Sequence, residues 1–212
     1  MEQEKLTPYE NYSSQIEDEM YKFEAYLREV NDSLDKKHLD EHTAIFLTGR
    51  RDLFDEVFAK SRLESFKALF HQSTFLTCYA VFENLFKQLC NLVQVQEKCR
   101  FSILDMGGND TIKNCRTYIE KAANVHLTDG KVTWEEIMFY KHLRNTLTHH
   151  NALEITEKTE RNLIKFLKNR KGIVLDGKAF RIVNDSFVLE FVHSFSIFLS
   201  NIAYAVDLGK TK

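Results

Sequence analysis

The sequence contains few of the residues that interrupt helices. Its 212 residues include one proline and seven glycines. Proline removes a backbone donor and glycine leaves the backbone unrestrained, so both tend to end or weaken a helix. Their scarcity excludes a loop-rich or collagen-like protein and favours long, uninterrupted helices.

Cysteine is also sparse, and its spacing carries no motif. The four cysteines, Cys78, Cys90, Cys99 and Cys115, lack the close spacing of a zinc knuckle or a CxxC redox pair. Cys78 and Cys90 fall inside an apolar helical run, where we expect them to be small core residues. The sequence also lacks a Walker loop, a dinucleotide fingerprint and an HExxH zinc motif. We therefore predict no metal site and no cofactor.

The net charge and the apolar segments of the sequence bear on its partners and its cellular location. A formal net charge of −2 gives no whole-chain signature of a nucleic-acid-binding protein, so such a partner would have to meet a local basic surface. The first residues, MEQEKLTPYENY, lack the apolar stretch of a secretion signal. Residues 187–206 have the length of a membrane span, but Glu190, His193 and Asn201 favour a buried helix. We predict a cytoplasmic protein without a membrane partner.

Hydrophobic periodicity is helical along most of the chain. The pattern predicts a first helix from Tyr9 to about Val30, a polar connection at 31–42 and a second helix at 43–60. The strongest signal, from about Glu64 to Glu97, is a nearly all-apolar helix that should be central. Further helices are predicted at 111–125 with an Asp110 or Asn109 cap, after a Thr133 cap, at 155–172 with Gly172 ending it, and at 186–206.

One segment, GIVLDGKAFRIV at about 172–183, has a clear β signal. Two apolar runs flank Asp176-Gly177, a dipeptide favoured in tight type I′ turns. The predicted fold is therefore all-α: an up-and-down helical bundle with a small β-hairpin before the last helix. We predict one domain over 1–212, with an N-terminal helical extension at about 1–60 and a core bundle at 64–206.

The segment RNTLTHHN, from Arg144 to Asn151, concentrates groups suited to phosphodiester chemistry. Histidine exchanges protons near neutral pH, arginine holds phosphate oxygens with a fork of donors, and an amide can orient either group. Arg144 and His149 lie about 140° apart on a regular helix, so they converge best if the helix ends near His149 or a second copy contributes. From composition and spacing alone, an ordinary polar helix end, with Arg144 paired to a buried carboxylate, is the favoured interpretation.

The hexapeptide from Arg144 to His149, R-N-T-L-T-H, resembles the R-x4–6-H motif of HEPN-domain proteins in its common R-N-x-x-x-H form. The segment AVFENLFKQL, Ala80 to Leu89, is similar to the helix that faces the motif in that family. The resemblance covers roughly Glu64 to Val206. It implies a HEPN-like bundle with a long central helix, a motif late in the bundle and a closing amphipathic helix.

The resemblance also implies an activity: metal-independent endoribonuclease cleavage through 2′-OH attack, by a homodimer whose two motifs meet at the subunit interface. Such proteins act on tRNA, mRNA or rRNA in toxin–antitoxin, abortive-infection and other antiviral systems, so an antitoxin or another defence protein is an expected partner. Arg144 would contact the scissile phosphate, His149 would transfer the proton and Asn145 would position one of them. His150 is an alternative histidine.

Two further sets of residues are weaker candidates. Glu83 is a lone charge on the central apolar helix, and Arg144 is its expected partner, in a catalytic or a structural pair. Basic residues outnumber acidic ones around the motif, and we predict RNA contacts for Lys141, Lys168, Arg170 and Lys171. A solvated helix face with mixed charges is the alternative interpretation of the neighbouring lysines.

Two other functions stay open from the sequence. A HEPN module without catalysis would bind a partner protein or nucleic acid through the same cleft. A purely structural helical scaffold would have both motif residues buried and paired within one protomer. Retention of Arg144, Asn145 and His149 favours the enzyme.

Overall fold

The computed structural model describes the backbone at residues 6–47, 53–128, 130–149, 160–177 and 179–209, and the side chains of those residues apart from 38–47, 53–59, 149 and 160. Over this part of the chain the protein is mostly helical, with one small antiparallel hairpin before the last helix, which confirms the predicted fold class. The helices are α1 (Pro8–Leu47), α2 (Leu53–Gln96), α3 (Thr111–Ala122), α4 (Trp134–His149), α5 (Glu160–Lys168) and α6 (Ser186–Gly209).

The first two helices are longer than the sequence pattern predicts. Residues 31–42, predicted as a polar connection, lie within α1 and are helical. The prediction was wrong because polarity was taken for a break: the segment has no glycine or proline, and its Lys, Glu and Leu residues are good helix formers. The predicted helix at 43–60 is divided between the end of α1 and the start of α2, and residues 48–52 lie outside the described residues.

The chain divides into two compact units. The first comprises Met1–Tyr21, Cys78–Met138 and Val192–Lys212. Its core is aromatic: the Phe82 ring lies 5.9 Å from Phe86, 5.8 Å from Phe195 and 6.4 Å from Phe198, centroid to centroid. The Tyr12 hydroxyl of α1 donates a hydrogen bond to the buried carbonyl of Leu85 at 2.9 Å, which satisfies a polar group inside that core.

The second unit comprises Lys22–Thr77 and Phe139–Phe191. Here Phe75 packs with its ring centroid 5.6 Å from Phe187 and 5.1 Å from Phe191, and Tyr140 lies 4.7 Å from Phe191.

The apolar stripe predicted on the central helix is fully buried, with 0–1% exposure at Phe75, Tyr79, Phe82, Phe86, Leu89 and Val93. Its spacing alternates by four and three residues, which keeps one helix face inside.

The hairpin lies in the second unit and consists of β1 (Ile173–Asp176) and β2 (Ala179–Ile182). Asp176 pairs with Ala179, so Asp176 is the last residue of β1 and the turn follows it. The turn is therefore one residue later than the predicted Asp176-Gly177 turn. Gly177 has a φ of +60°, and glycine enters this left-handed region without the steric cost of a side chain.

Helix ends agree with the capping residues in the sequence. Asp110 accepts a hydrogen bond from the backbone N–H of Lys113 at 3.3 Å at the start of α3, and Thr133 accepts one from Glu136 at 3.1 Å at the start of α4. Helix α5 ends at Lys168, four residues before Gly172, which precedes the hairpin instead of ending the helix. The predicted residues 155–159 of that helix lie outside the described part of the chain.

Helix α6 is apolar and mostly internal. By length and composition it is the one described helix that could cross a membrane, and 61% of its most apolar stretch is buried inside the protein. Burial on this scale is typical of a core helix. Glu190, in its first half, forms an ion pair with Arg170, and both residues belong to the second unit.

Candidate functional site

The candidate site is the second half of α4. Leu143 and Leu147 are buried, which fixes one face of the helix against the core. Arg144 and Asn145 are half-buried beside that face, and Thr148 is exposed. The helical period therefore sends the apolar residues inward and leaves the polar motif residues at the boundary with solvent. A side chain in this position can be held by the protein and still reach a ligand.

The Arg144 side chain is oriented by its neighbour. Its Nη1 donates a hydrogen bond to the Oδ1 of Asn145 at 3.0 Å. Consecutive helical residues point about 100° apart, so the two side chains must lean towards each other to make this contact. The amide oxygen of Asn145 accepts from the guanidinium, and its amide nitrogen keeps two donor hydrogens of its own.

Two threonine hydroxyls bond to the backbone of the same helix. Thr146 donates to the carbonyl of His142 at 2.9 Å, and Thr148 donates to the carbonyls of Arg144 at 3.0 Å and Asn145 at 3.3 Å. Such bonds to carbonyls one turn back satisfy the hydroxyls locally. The carbonyls of both motif residues are thus tied to the last turn of α4, which restrains the backbone that carries them.

The backbone of α4 is described through His149, its last residue. Positions 144 and 149 of a regular helix lie about 140° apart around the axis, whereas 145 and 149 are about 40° apart. The side chain of His149, and all of His150, lie outside the described residues. Their predicted roles in proton transfer stay predictions.

Glu83 lies on α2 and is half-buried. It belongs to the first compact unit, whereas Arg144 belongs to the second. The described hydrogen bond of Arg144 goes to Asn145. The expected pairing of Glu83 with Arg144 stays a prediction.

The predicted RNA-binding residues differ in how far they are exposed to solvent and in whether the structure shows them bound to another side chain. Lys168 and Lys171 are exposed at the end of α5 and after it, and Lys141 is half-buried on α4. Arg170 already has two partners: it forms an ion pair with Glu190, and its guanidinium carbon lies 4.3 Å from the centroid of the Phe166 ring. Arg170 thus helps to hold α5 to α6, a role that the sequence pattern did not indicate.

The segment around the motif has a modest excess of basic residues. Between Phe139 and Phe191 the sequence has ten Lys or Arg residues and six acidic ones. One of the acids, Glu190, pairs with Arg170, and another, Asp185, accepts a hydrogen bond from Asn31 at 3.0 Å. A surface with this excess attracts the phosphate backbone of a nucleic acid.

The sequence did not indicate a cavity of about 400 Å³ in the first unit, whose lining includes Arg116, Lys131 and Phe198. Its walls come from three separated segments, so no local spacing could have revealed it. Over the part of the chain that the structure describes, no group of three or more His, Cys, Asp or Glu residues is placed to hold a metal ion.

Comparison of the chain with protein-family models, with curated proteins and with solved structures finds no match.

Proposed function

We propose that the protein is a metal-independent endoribonuclease of the HEPN type. The observation that carries this proposal is the orientation of Arg144 by Asn145 at 3.0 Å, on a helix that continues to His149. A half-buried guanidinium held by an amide is preorganised to receive phosphate oxygens. The motif R-N-x-x-x-H thus has its first two members in contact.

The proposed reaction needs one base, one acid and one cation. The base removes the proton of a ribose 2′-OH, and the 2′-oxygen attacks the adjacent phosphorus. The bond from phosphorus to the 5′-oxygen breaks, and the acid protonates that oxygen, which leaves a 2′,3′-cyclic phosphate and a 5′-OH. Arg144 would stabilise the charge that develops on the phosphate oxygens, and His149 or His150 would carry protons.

Helix geometry favours a site assembled from two copies. Positions 144 and 149 lie about 140° apart around the axis of α4, so one copy alone does not place them on the same face of a regular helix. In a twofold dimer the arginine of one copy can meet the histidine of the other. Homodimerisation is therefore part of the proposal, with a cytoplasmic RNA as substrate and an antitoxin or other defence protein as the expected regulator.

The decisive experiment is incubation of the purified protein with total cellular RNA, with and without EDTA. We expect cleavage in both conditions and products that end in a 2′,3′-cyclic phosphate. The Arg144→Ala variant should cleave at least about a hundredfold more slowly, and a variant with both His149 and His150 replaced by Ala should be inactive. Arg161→Ala, an exposed arginine on α5, should cleave normally. Full activity of the double histidine variant, or cleavage abolished by EDTA, would rule out the proposal.

A HEPN module without catalysis is the second candidate. The hydrogen bond from Arg144 to Asn145 is compatible with this function too, since an oriented arginine can bind RNA or protein without cleaving it. Filter binding of RNA separates the two functions. The module alone predicts salt-sensitive binding with no cleaved product, and Arg144→Ala would then weaken binding only.

A further inference from the structure

Helix α2 has one face in the core and another that is exposed and apolar. Phe66 and Leu69 lie on the exposed face, and their side chains are 58% and 59% accessible to solvent. Tyr26 of α1, which is 50% exposed, extends this surface through Phe70, since the two ring centroids are 6.0 Å apart. All four residues belong to the second unit. Large apolar side chains grouped on a surface mark a contact with another molecule.

The same stretch of α2 carries no charge. From Ala68 to Phe82 the sequence has no Lys, Arg, Asp or Glu, over about four helical turns. The charge that precedes this stretch, Lys67, forms an ion pair with Asp35 of α1. A helix that meets water along one side normally carries charged residues there. Contact with solvent alone therefore does not account for the composition of this face.

Two hydroxyl groups on the exposed side of α2 are satisfied within the helix. Thr77 donates to the carbonyl of Ser73 at 3.0 Å, and Ser65 donates to the carbonyl of Ser61 at 2.9 Å. Bonds of this kind to a carbonyl one turn back occupy the hydroxyl hydrogen locally. An apolar surface can therefore cover this side of α2 without leaving these two donors unsatisfied.

We propose that the exposed face of α2 binds a second copy of the chain, with the two α2 helices antiparallel about a twofold axis near Ser73. In such a contact every residue meets a residue of the same face, so a charged face would set like charges against each other. The uncharged face of α2 avoids this repulsion. A second copy is also what the proposed ribonuclease requires, and the choice of partner rests on that function.

The sizes of the side chains fit this arrangement. Leu69 and Thr77 are each four positions from Ser73, on either side of it. With the axis at Ser73, the large Leu69 of one copy lies over the smaller Thr77 of the other, and the two Ser73 side chains face each other. A large side chain over a small one, with serine at the crossing point, lets two helices pack closely.

Sedimentation equilibrium tests the contact. The wild type should be a dimer at tens of micromolar. Leu69→Glu places a charge between two apolar surfaces and should raise the dissociation constant of the dimer at least about a hundredfold, and Phe66→Glu should do the same. Leu104→Glu is the matched control, because it adds the same charge at a 90% exposed leucine of the first unit. It should remain a dimer.

Cross-linking tests the position of the axis. A Cys99→Ala background removes the one thiol that is not fully buried. In this background Ser73→Cys should form covalent dimers with a short bismaleimide. Lys87→Cys, at an exposed position of the same helix, is the control. Its twin would lie about 40 Å away across the axis, so it should not be cross-linked.

Three results would overturn the proposal. The first is a wild type that stays monomeric up to hundreds of micromolar. The second is dimerisation of Leu69→Glu and Phe66→Glu as tight as that of Leu104→Glu. The third is cross-linking of Ser73→Cys that does not exceed that of Lys87→Cys. Circular dichroism checks that each variant is folded. Because mass and cross-linking are measured without RNA, this contact and the proposed ribonuclease can fail separately.

Discussion

Arg144 and Asn145 are neighbours in sequence, and the guanidinium of the first is hydrogen-bonded to the amide oxygen of the second at 3.0 Å. An amide in this position lacks charge and cannot neutralise the arginine, yet it restricts where the guanidinium points. Arg144 and Asn145 therefore act together: the arginine supplies the positive charge and the asparagine orients it. Its contribution to function should be measurable apart from that of the arginine itself.

Replacing Asn145, which orients Arg144, should slow cleavage without abolishing it. We expect Asn145→Ala to lower kcat about tenfold to a hundredfold, because the guanidinium loses its orientation. Arg144→Ala should cost about a hundredfold to a thousandfold, since the charge itself is lost. Single-turnover cleavage of a labelled RNA measures both.

Asn145→Asp and Asn162→Ala serve as the comparisons. The carboxylate of Asn145→Asp would form an ion pair with Arg144 and offset its positive charge, so RNA binding should weaken as well. Asn162 is an exposed amide on α5, and its replacement by alanine should have no effect. A normal cleavage rate for Asn145→Ala would show that the hydrogen bond to Asn145 is not needed to orient Arg144.

A side chain at Gly172 should destabilise the fold. Its φ is +77°, and a Cβ there would lie 2.4 Å from the Oδ1 of Asn184 and 2.9 Å from the backbone nitrogen of Phe187. Asn184 accepts a hydrogen bond from the N–H of Ser186 at the start of α6, so the clash also disturbs a helix cap. We expect Gly172→Ala to lower the free energy of unfolding by about 3 kcal/mol, measured by urea denaturation.

Two other glycines provide a graded control for that measurement. Gly177→Ala, at φ +60° with open space around it, should cost about 1 kcal/mol. Gly107→Ala, also in open space and outside the left-handed region, should change stability by less than about 0.5 kcal/mol. Equal effects at all three positions would contradict the steric explanation.

His71 should make stability depend on pH. Its side chain is 1% exposed, and burial lowers its pKa; nearby Asp185 raises the pKa and Lys67 lowers it further. The unfolded chain therefore takes up a proton at this residue at a higher pH than the folded chain does. The contribution of His71 to stability is complete above about pH 6.5 and falls as the pH drops below that value.

The measurement is urea unfolding between pH 7.5 and 5. The wild type should lose more stability than His71→Gln over this interval, because only the wild type has this buried imidazole to protonate on unfolding. His126→Gln, at an exposed position, should keep the wild-type slope. A slope that is unchanged in His71→Gln would assign the pH dependence to other groups.

The four thiols should react in two classes. Cys78, Cys90 and Cys115 are fully buried, whereas Cys99 is half-buried. Burial raises the pKa of Cys78 to about 12, and the adjacent Cys115 together with burial raises the pKa of Cys90, whose thiol donates to the Cys115 carbonyl at 3.7 Å. Few thiolates and no access make these groups slow nucleophiles.

We therefore expect Ellman's reagent at pH 8 to label one thiol rapidly in the native protein and all four in urea. Cys99→Ala should remove the fast phase, and Cys78→Ala should leave it intact. Rapid labelling of two or more thiols in the folded protein would contradict the described burial.

Helix faces were predictable from the sequence, whereas helix ends were only partly so. Phe75 to Val93 carries a stripe whose spacing leaves one choice of buried face, and Thr133 is a cap whose hydroxyl has an obvious backbone partner. Residues 31–42 failed because a charged surface helix and a polar loop have the same composition. The hairpin was predicted at the right place, but its turn begins one residue later, since strand register is fixed by pairing across the hairpin and not by the turn dipeptide alone.

The site was predictable only as a set of residue types. The spacing R-N-x-x-x-H places Arg144 and Asn145 together, but the direction of their side chains depends on the packing of α4. Arg170 was predicted to contact RNA, but it is the ion-pair partner of Glu190. Local spacing could not indicate this pair, because the two positions are 20 residues apart. The cavity beside Arg116 depends on three distant segments, so tertiary structure alone could reveal it.

The angular distance between positions 144 and 149 has a genetic consequence. If each catalytic centre takes its arginine from one copy and its histidine from the other, two inactive alleles can complement. Arg144→Ala mixed in equal amounts with a chain lacking both histidines should recover about a quarter of wild-type cleavage, because half of the dimers are mixed and each restores one of two centres. A centre built within one chain gives no recovery at any ratio.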